Sequence, residues 1–160
     1  VHERQNINDM RFFYFFLIFS IGFTGFSQSK EDSAKAMVQA FFKAFHEQDS
    51  VKLKTYAFED VQLKSIAKNA KGKMVINTDS YEEFVKSMTT IPAEVDFEER
   101  LGLLEVQTDG YLANVWVPYE FYLNGELSHC GVNNFQLIYT DKAWKIISIV
   151  DTRKKQACQD

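Results

Sequence analysis

His129 and Glu120 lie in two consecutive strand-like runs separated by the turn residues Asn124-Gly125. If that turn is a two-residue hairpin, Leu123 pairs with Glu126, and His129 and Glu120 come to one face. A carboxylate beside an imidazole is a minimal general acid/base pair. The same pair also serves as a plain cross-strand ion pair. Asp151 follows Ile149-Val150 at the end of the next apolar run, where it is a second candidate base or a partner for Arg153. Asn133-Asn134 in mid-strand is unusual, because asparagine is depleted in strands. Alternation sends one of the two inward, and a buried amide needs partners, either a ligand or a helix end. Under the same pairing, Trp116, Pro118 and Glu120 share a face with His129, Gly131 and Asn133. Val115, Val117, Tyr119 and Phe121 share the other with Ser128, Cys130, Val132 and Asn134. A single bulge would exchange these sets along part of the strand. His129 and Cys130 are adjacent and point to opposite faces, which disfavours a dyad.

Three long strands position these residues. Tyr111–Tyr122 turns at Asn124-Gly125 into Glu126–Thr140, which turns at Asp141-Lys142 into Ala143–Arg153. Pro118 in mid-strand signals an edge or a bulge. Upstream, Ser29–Gln48 repeats Ala34, Met37, Val38, Phe41, Phe42 and Phe45 at helical spacing. Asp49 is placed to cap a short helix, Ser50–Tyr56. Val61–Lys68 and Lys73–Asn77 read as short strands. Ser80-x-x-Glu83 has the form of a capping box for a third helix, Tyr81–Thr90. Ala93–Gln107 reads as one further long strand. Helices early and antiparallel strands late give an α+β domain, with three helices on the concave face of a curved sheet.

The 160 residues carry a net charge of −4 and scattered Lys and Arg, which disfavours a nucleic-acid surface. Arg11, the apolar run Phe12–Phe23 and the small residues Gly25 and Ser27 follow the order of a secretory signal. The apolar run is short for a membrane span, which needs about 20 residues. Met10 stands where such a signal would start. The expected organisation is an upstream extension over residues 1–9, a signal peptide over 10–27 and one exported domain over 28–160, periplasmic or extracellular. In an oxidising compartment Cys130 and Cys158 could pair, or remain two separate thiols. Two cysteines without a Cys-x-x-Cys or His-x-x-x-His spacing are poor material for a metal site. No phosphate-binding glycine loop or Gly-x-Ser-x-Gly elbow is present, and no cofactor is expected.

The order of elements, the helix sequence AMVQAFFKAFHEQD, the turn followed by Trp144-Lys145-Ile146 and the ending Ile149-Val150-Asp151 resemble the nuclear-transport-factor-2-like superfamily. This is the cone-shaped α+β fold shared with SnoaL-like and ketosteroid-isomerase-like proteins, here most similar to small exported bacterial members. The resemblance covers about Ser29–Arg153 and implies a pocket between the concave sheet and the helices. It does not fix an activity, because the fold hosts several. The expected lining is Tyr56, Trp116, Tyr119, Glu120, His129 and Asn133. The leading expectation is non-catalytic binding of a small, largely apolar molecule. An alternative is an isomerase or dehydratase with Asp151 or His129 as base and Tyr56 or Tyr119 as the phenol holding an oxyanion. A third is a scaffold domain that forms a homodimer through the sheet.

Overall fold

The computed structural model describes residues 29–92, 94–155 and 158. The expected extension over residues 1–9 and signal peptide over 10–27 lie outside them. Helix α1 (Lys30–His46) starts at Ser29, whose side chain accepts from the Asp32 backbone N–H at 3.0 Å. Helix α2 (Ser50–Tyr56) starts at Asp49, which accepts from the Lys52 N–H at 2.9 Å. Strands β1 (Ala57–Lys68) and β2 (Met74–Ser80) form a hairpin. Helix α3 (Tyr81–Met88) opens with the complete Ser80/Glu83 capping box. Tyr81 ties α3 to α2 by donating its hydroxyl to the Leu53 carbonyl at 2.7 Å. Strands β3 (Phe97–Leu101), β4 (Glu105–Thr108), β5 (Leu112–Leu123), β6 (Glu126–Thr140) and β7 (Ala143–Arg153) follow.

The fold is α+β, with three helices and an open, seven-stranded mixed sheet. Its order is β2-β1-β7-β6-β5-β3, with β4 also on β5. Only β1 and β7 run parallel, which brings the early hairpin beside the end of the chain. The apolar stripe of α1 crosses the concave face. Phe135 of β6 takes the centre, 5.2 Å from the Phe41 ring and 5.7 Å from the Phe42 ring. Offset and edge-to-face contacts of this kind add to the area buried.

Two expectations are corrected. The strand expected over Ala93–Gln107 is two strands, β3 and β4, broken opposite Pro118. The Pro118 carbonyl accepts from the Gly102 N–H at 2.7 Å, and proline has no N–H to continue that ladder. The second correction is the register of β5 with β6. Leu123 does pair with Glu126, and Asn124 and Gly125 have φ of 51° and 78°. One step later Tyr122 pairs with Leu127, but Phe121 pairs with His129, so Ser128 is an extra residue. Beyond this bulge every position of β6 changes face. His129, Gly131 and Asn133 therefore lie opposite Phe121, Tyr119 and Val117, on the concave side. Glu120 lies opposite Cys130, not His129. Trp116, paired with Asn134, is on the convex side and 49% exposed.

Cys130 and Cys158 are bonded across 28 residues of sequence. The bond fastens the segment after β7 to β6, next to an isolated bridge between Cys130 and Lys154.

Candidate functional site

The sheet register lines up a row of polar residues across the concave face. Ser65 of β1 pairs with Asp151 of β7, and Asp151 pairs with Asn133 of β6. Strand β3 adds Glu99, between Phe97 and Leu101 on the alternation that faces inward. These residues meet in a cavity of about 560 Å³ between the sheet and helices α1 and α3. Its aromatic wall is Phe41, Phe42, Phe45, Phe84, Phe121 and Phe135. Its polar lining is Ser65, Glu99, Tyr119, His129, Asn133, Asp151 and Arg153, with Asp79, Glu83 and Ser87 exposed at the rim.

The polar groups hold one another in place. Asn133 Nδ2 donates to Glu99 Oε1 at 2.6 Å. Asp151 accepts from the Ser65 hydroxyl on one oxygen. Its other oxygen accepts from Arg153 Nε at 2.9 Å. Tyr119 donates its hydroxyl to the Thr152 carbonyl at 3.0 Å. The Glu99 backbone N–H donates to His46 Nε2 at 2.9 Å, so the last turn of α1 fixes the strand that carries the carboxyl. His129 stacks on Phe121 at 4.9 Å and meets Tyr119 edge-on at 5.8 Å.

Burial dominates the electrostatics of Glu99. Burial pushes Glu99 up to about 7, and the nearby Asp151 charge adds to the rise against the opposing Asn133 hydrogen bond and Arg153. Asp151 is ion-paired and hydrogen-bonded on both oxygens. Burial lowers His129 below its usual value, helped by Arg153 and opposed by Asp151. Its imidazole is therefore neutral at neutral pH. Burial, then Asp151 and Glu99, raise the Tyr119 phenol. The site thus holds one carboxyl that exchanges a proton near neutral pH beside one committed to a cation. A carboxyl brought to about 7 by burial is suited to acid or base work at neutral pH.

Of the expected lining, Tyr119, His129 and Asn133 surround this cavity, as does Asp151. Trp116 and Glu120 do not, being on the convex face, where Glu120 accepts from the Tyr122 hydroxyl at 2.9 Å. Tyr56 lines a different, more open hollow of about 580 Å³ with Lys30, Trp144 and Lys145. Glu99 and Ser65 were missed, whereas Arg153 was expected as a partner for Asp151 and is one. Glu99 hides inside Glu98-Glu99-Arg100, which reads as a solvated run; the flanking Phe97 and Leu101 were the signal that it points inward. Among the described residues no group of three His, Cys, Asp or Glu side chains is arranged to hold a metal ion, and no helix is long and apolar enough to cross a membrane.

No family model and no curated protein matches the chain. Solved structures do. An NTF2-like protein of unknown function from Silicibacter pomeroyi is 18% identical, with 76% of this chain and 93% of that one covered at a TM-score of 0.54. A proposed dehydratase of the NTF2-like family from Streptomyces avermitilis is 15% identical, covering 78% and 95% at 0.59. The beta subunit of a proposed aromatic-ring-hydroxylating dioxygenase from Novosphingobium aromaticivorans is 10% identical, covering 79% and 90% at 0.63. Similarity at this level of identity speaks for architecture and not for chemistry. With its helix-covered, curved and open sheet, the chain has the nuclear-transport-factor-2-like fold that its sequence resembles.

Proposed function

We propose that the cone binds a small, largely apolar molecule, with the aromatic wall taking its body and the Glu99–Asn133–Asp151 row taking a polar end. One observation carries the reading: a cavity of about 560 Å³ whose wall is phenylalanine and whose inner polar groups converge from four strands. Small-molecule sites typically occupy roughly 300–1,000 Å³, mostly apolar with a few placed polar groups. The Cys130–Cys158 bond supports a place of action outside the reducing cytoplasm. Saturable one-site binding of the neutral fluorophore N-phenyl-1-naphthylamine tests the reading, with Leu63→Trp as the variant that fills the cavity from β1. Binding that Leu63→Trp abolishes while the fold melts cooperatively is the expected result. No saturable binding, or binding unchanged by the variant, overturns it.

A second reading is proton transfer of the isomerase or dehydratase kind. Glu99 favours it, because a carboxyl near 7 serves as acid or base at neutral pH. It expects the chain to speed deuterium exchange beside the carbonyl of a bound cyclic ketone, and Glu99→Gln and Asp151→Asn to abolish that effect. Exchange no faster than buffer removes this reading and leaves binding.

A further inference from the structure

The charges that line the cone are unevenly divided, and several of its polar groups are already engaged. The Ser65 hydroxyl is spent on Asp151, the Tyr119 hydroxyl on the Thr152 carbonyl, and one Asn133 amide hydrogen on Glu99. The one cationic side chain of the lining, Arg153, engages Asp151 through Nε, and its side chain is half exposed. His129 carries no charge at neutral pH, because burial and Arg153 hold its proton affinity down. The second oxygen of Glu99 and the Asn133 side-chain carbonyl remain as acceptors, beside the second Asn133 amide hydrogen and the Nη groups of Arg153 as donors. Four carboxyls line the cavity, Asp79 and Glu83 at the rim and Glu99 and Asp151 inside, against the single guanidinium. The wall is made of six phenylalanines, whose ring faces attract cations.

We propose that the molecule the cone accepts is an amphipathic organic cation, a primary or secondary amine on an aromatic or alicyclic body, with its ammonium on the Glu99–Asn133 pair. The inference rests on the reading of the cone as a binding cavity and names the chemical class of its ligand. An ammonium brings the positive charge in which the lining is short, with one guanidinium against four carboxyls. A carboxylate or phosphate would meet a lining of four carboxyls and one guanidinium already paired with one of them. An ammonium beside Glu99 favours the ionised carboxyl over the protonated one, so binding near pH 6 expels the proton that burial holds there. The groups facing Glu99 are His46 from α1, Tyr119 from β5, Asn133 and His129 from β6, and Asp151 and Arg153 from β7. Burial lowers His46 and His129 below their usual values, while it raises Glu99 to about 7.

Three ligands of one shape separate the possibilities: 4-phenylbutan-1-amine, 4-phenylbutan-1-ol and 4-phenylbutanoate, titrated calorimetrically into the native chain at about pH 8. The amine is expected to bind at least about tenfold tighter than the alcohol, with the carboxylate weakest. Glu99→Gln, which keeps the shape and the Asn133 acceptor, is expected to reduce the amine's advantage to under about threefold. At about pH 6 the amine's heat should vary with the buffer's ionisation enthalpy in the direction of proton release. An alcohol or carboxylate that binds as tightly as the amine overturns the inference. So does an amine preference that Glu99→Gln leaves intact. If N-phenyl-1-naphthylamine binds and no amine preference exists, only the choice of cation fails. If neither that probe nor any of the three binds, the cavity reading fails with it.

Discussion

Replacing Glu99 by glutamine removes a carboxyl that the fold holds in its protonated form far above its usual range. The gap between 4.5 and about 7, at 1.36 kcal/mol per pH unit, corresponds to at most about 3 kcal/mol. The sign follows from which state binds the proton. In this pH interval the folded chain keeps the Glu99 proton and the unfolded chain has lost it, so folding stability falls as pH rises. Below about 4.5 both states are protonated and the contribution is constant. Above about 7 both are ionised, and the folded chain carries the full cost of a buried charge. Glutamine has no such transition and still offers Asn133 an acceptor. Relative to the native chain, the variant should therefore gain up to about 3 kcal/mol between about pH 4.5 and 8. Urea unfolding of both proteins at several pH values measures the difference, in which all other titrating groups cancel to first order. With a slope of roughly 1–3 kcal/mol per molar urea, the midpoints should diverge by about 1 M or more across the interval. A difference that stays flat within about 0.5 kcal/mol would show that Glu99 is solvated, and the acid/base reading and the proton release would fall together.

Four further substitutions probe the frame around this site. Asp151→Asn takes a repelling charge from Glu99 and the partner from Arg153; it should lower the Glu99 midpoint, read by carboxyl carbon NMR, and cost about 1–3 kcal/mol in urea unfolding, a discounted figure because Arg153 is half exposed. Gly131→Ala would place a Cβ 1.7 Å from the Thr152 carbonyl oxygen, so it should cost more than about 4 kcal/mol or prevent folding, whereas Gly125→Ala, at φ +78 with open space around it, should cost only about 1–2 kcal/mol; equal melting temperatures for the two would contradict the close approach of β6 to β7. Cys158→Ser opens a loop of 28 residues, for which the loss of chain-entropy restraint corresponds to about 3–4 kcal/mol, and the same loss should appear in the native chain on adding dithiothreitol but not in the variant.

Much of the architecture was legible because its signals are local. Asp49 and the Ser80/Glu83 box cap the helices they were read to cap. Asn124-Gly125 and Asp141-Lys142 both take positive φ at the two turns that frame β6. The site was less legible because its composition depends on register, a non-local property. One inserted residue, Ser128, moved His129 and Asn133 to the concave face and left Trp116 and Glu120 outside. Nothing in Leu127-Ser128-His129 announces the insertion, since a serine in a strand is equally at home as a paired residue. Glu99 escaped notice because charged neighbours mask it, and β3 was not separated from β4 although Gly102 and Pro118 mark the break. Tyr56 is a case of correct local structure and wrong placement. It ends α2 as expected, but α2 delivers it to the hollow beside Trp144.

The most direct test of the central claim is a two-dimensional NMR titration of the isotope-labelled chain with N-phenyl-1-naphthylamine, following side-chain and backbone resonances on both faces of the sheet. The account predicts that shifts concentrate at Asn133, Phe135, Tyr119, Phe41 and Glu99, inside the cone, while Trp116 and Glu120 on the convex face stay in place. Shifts centred on Trp116, or on Tyr56 and Trp144, would contradict it and move the binding function to the outer sheet or to the second hollow.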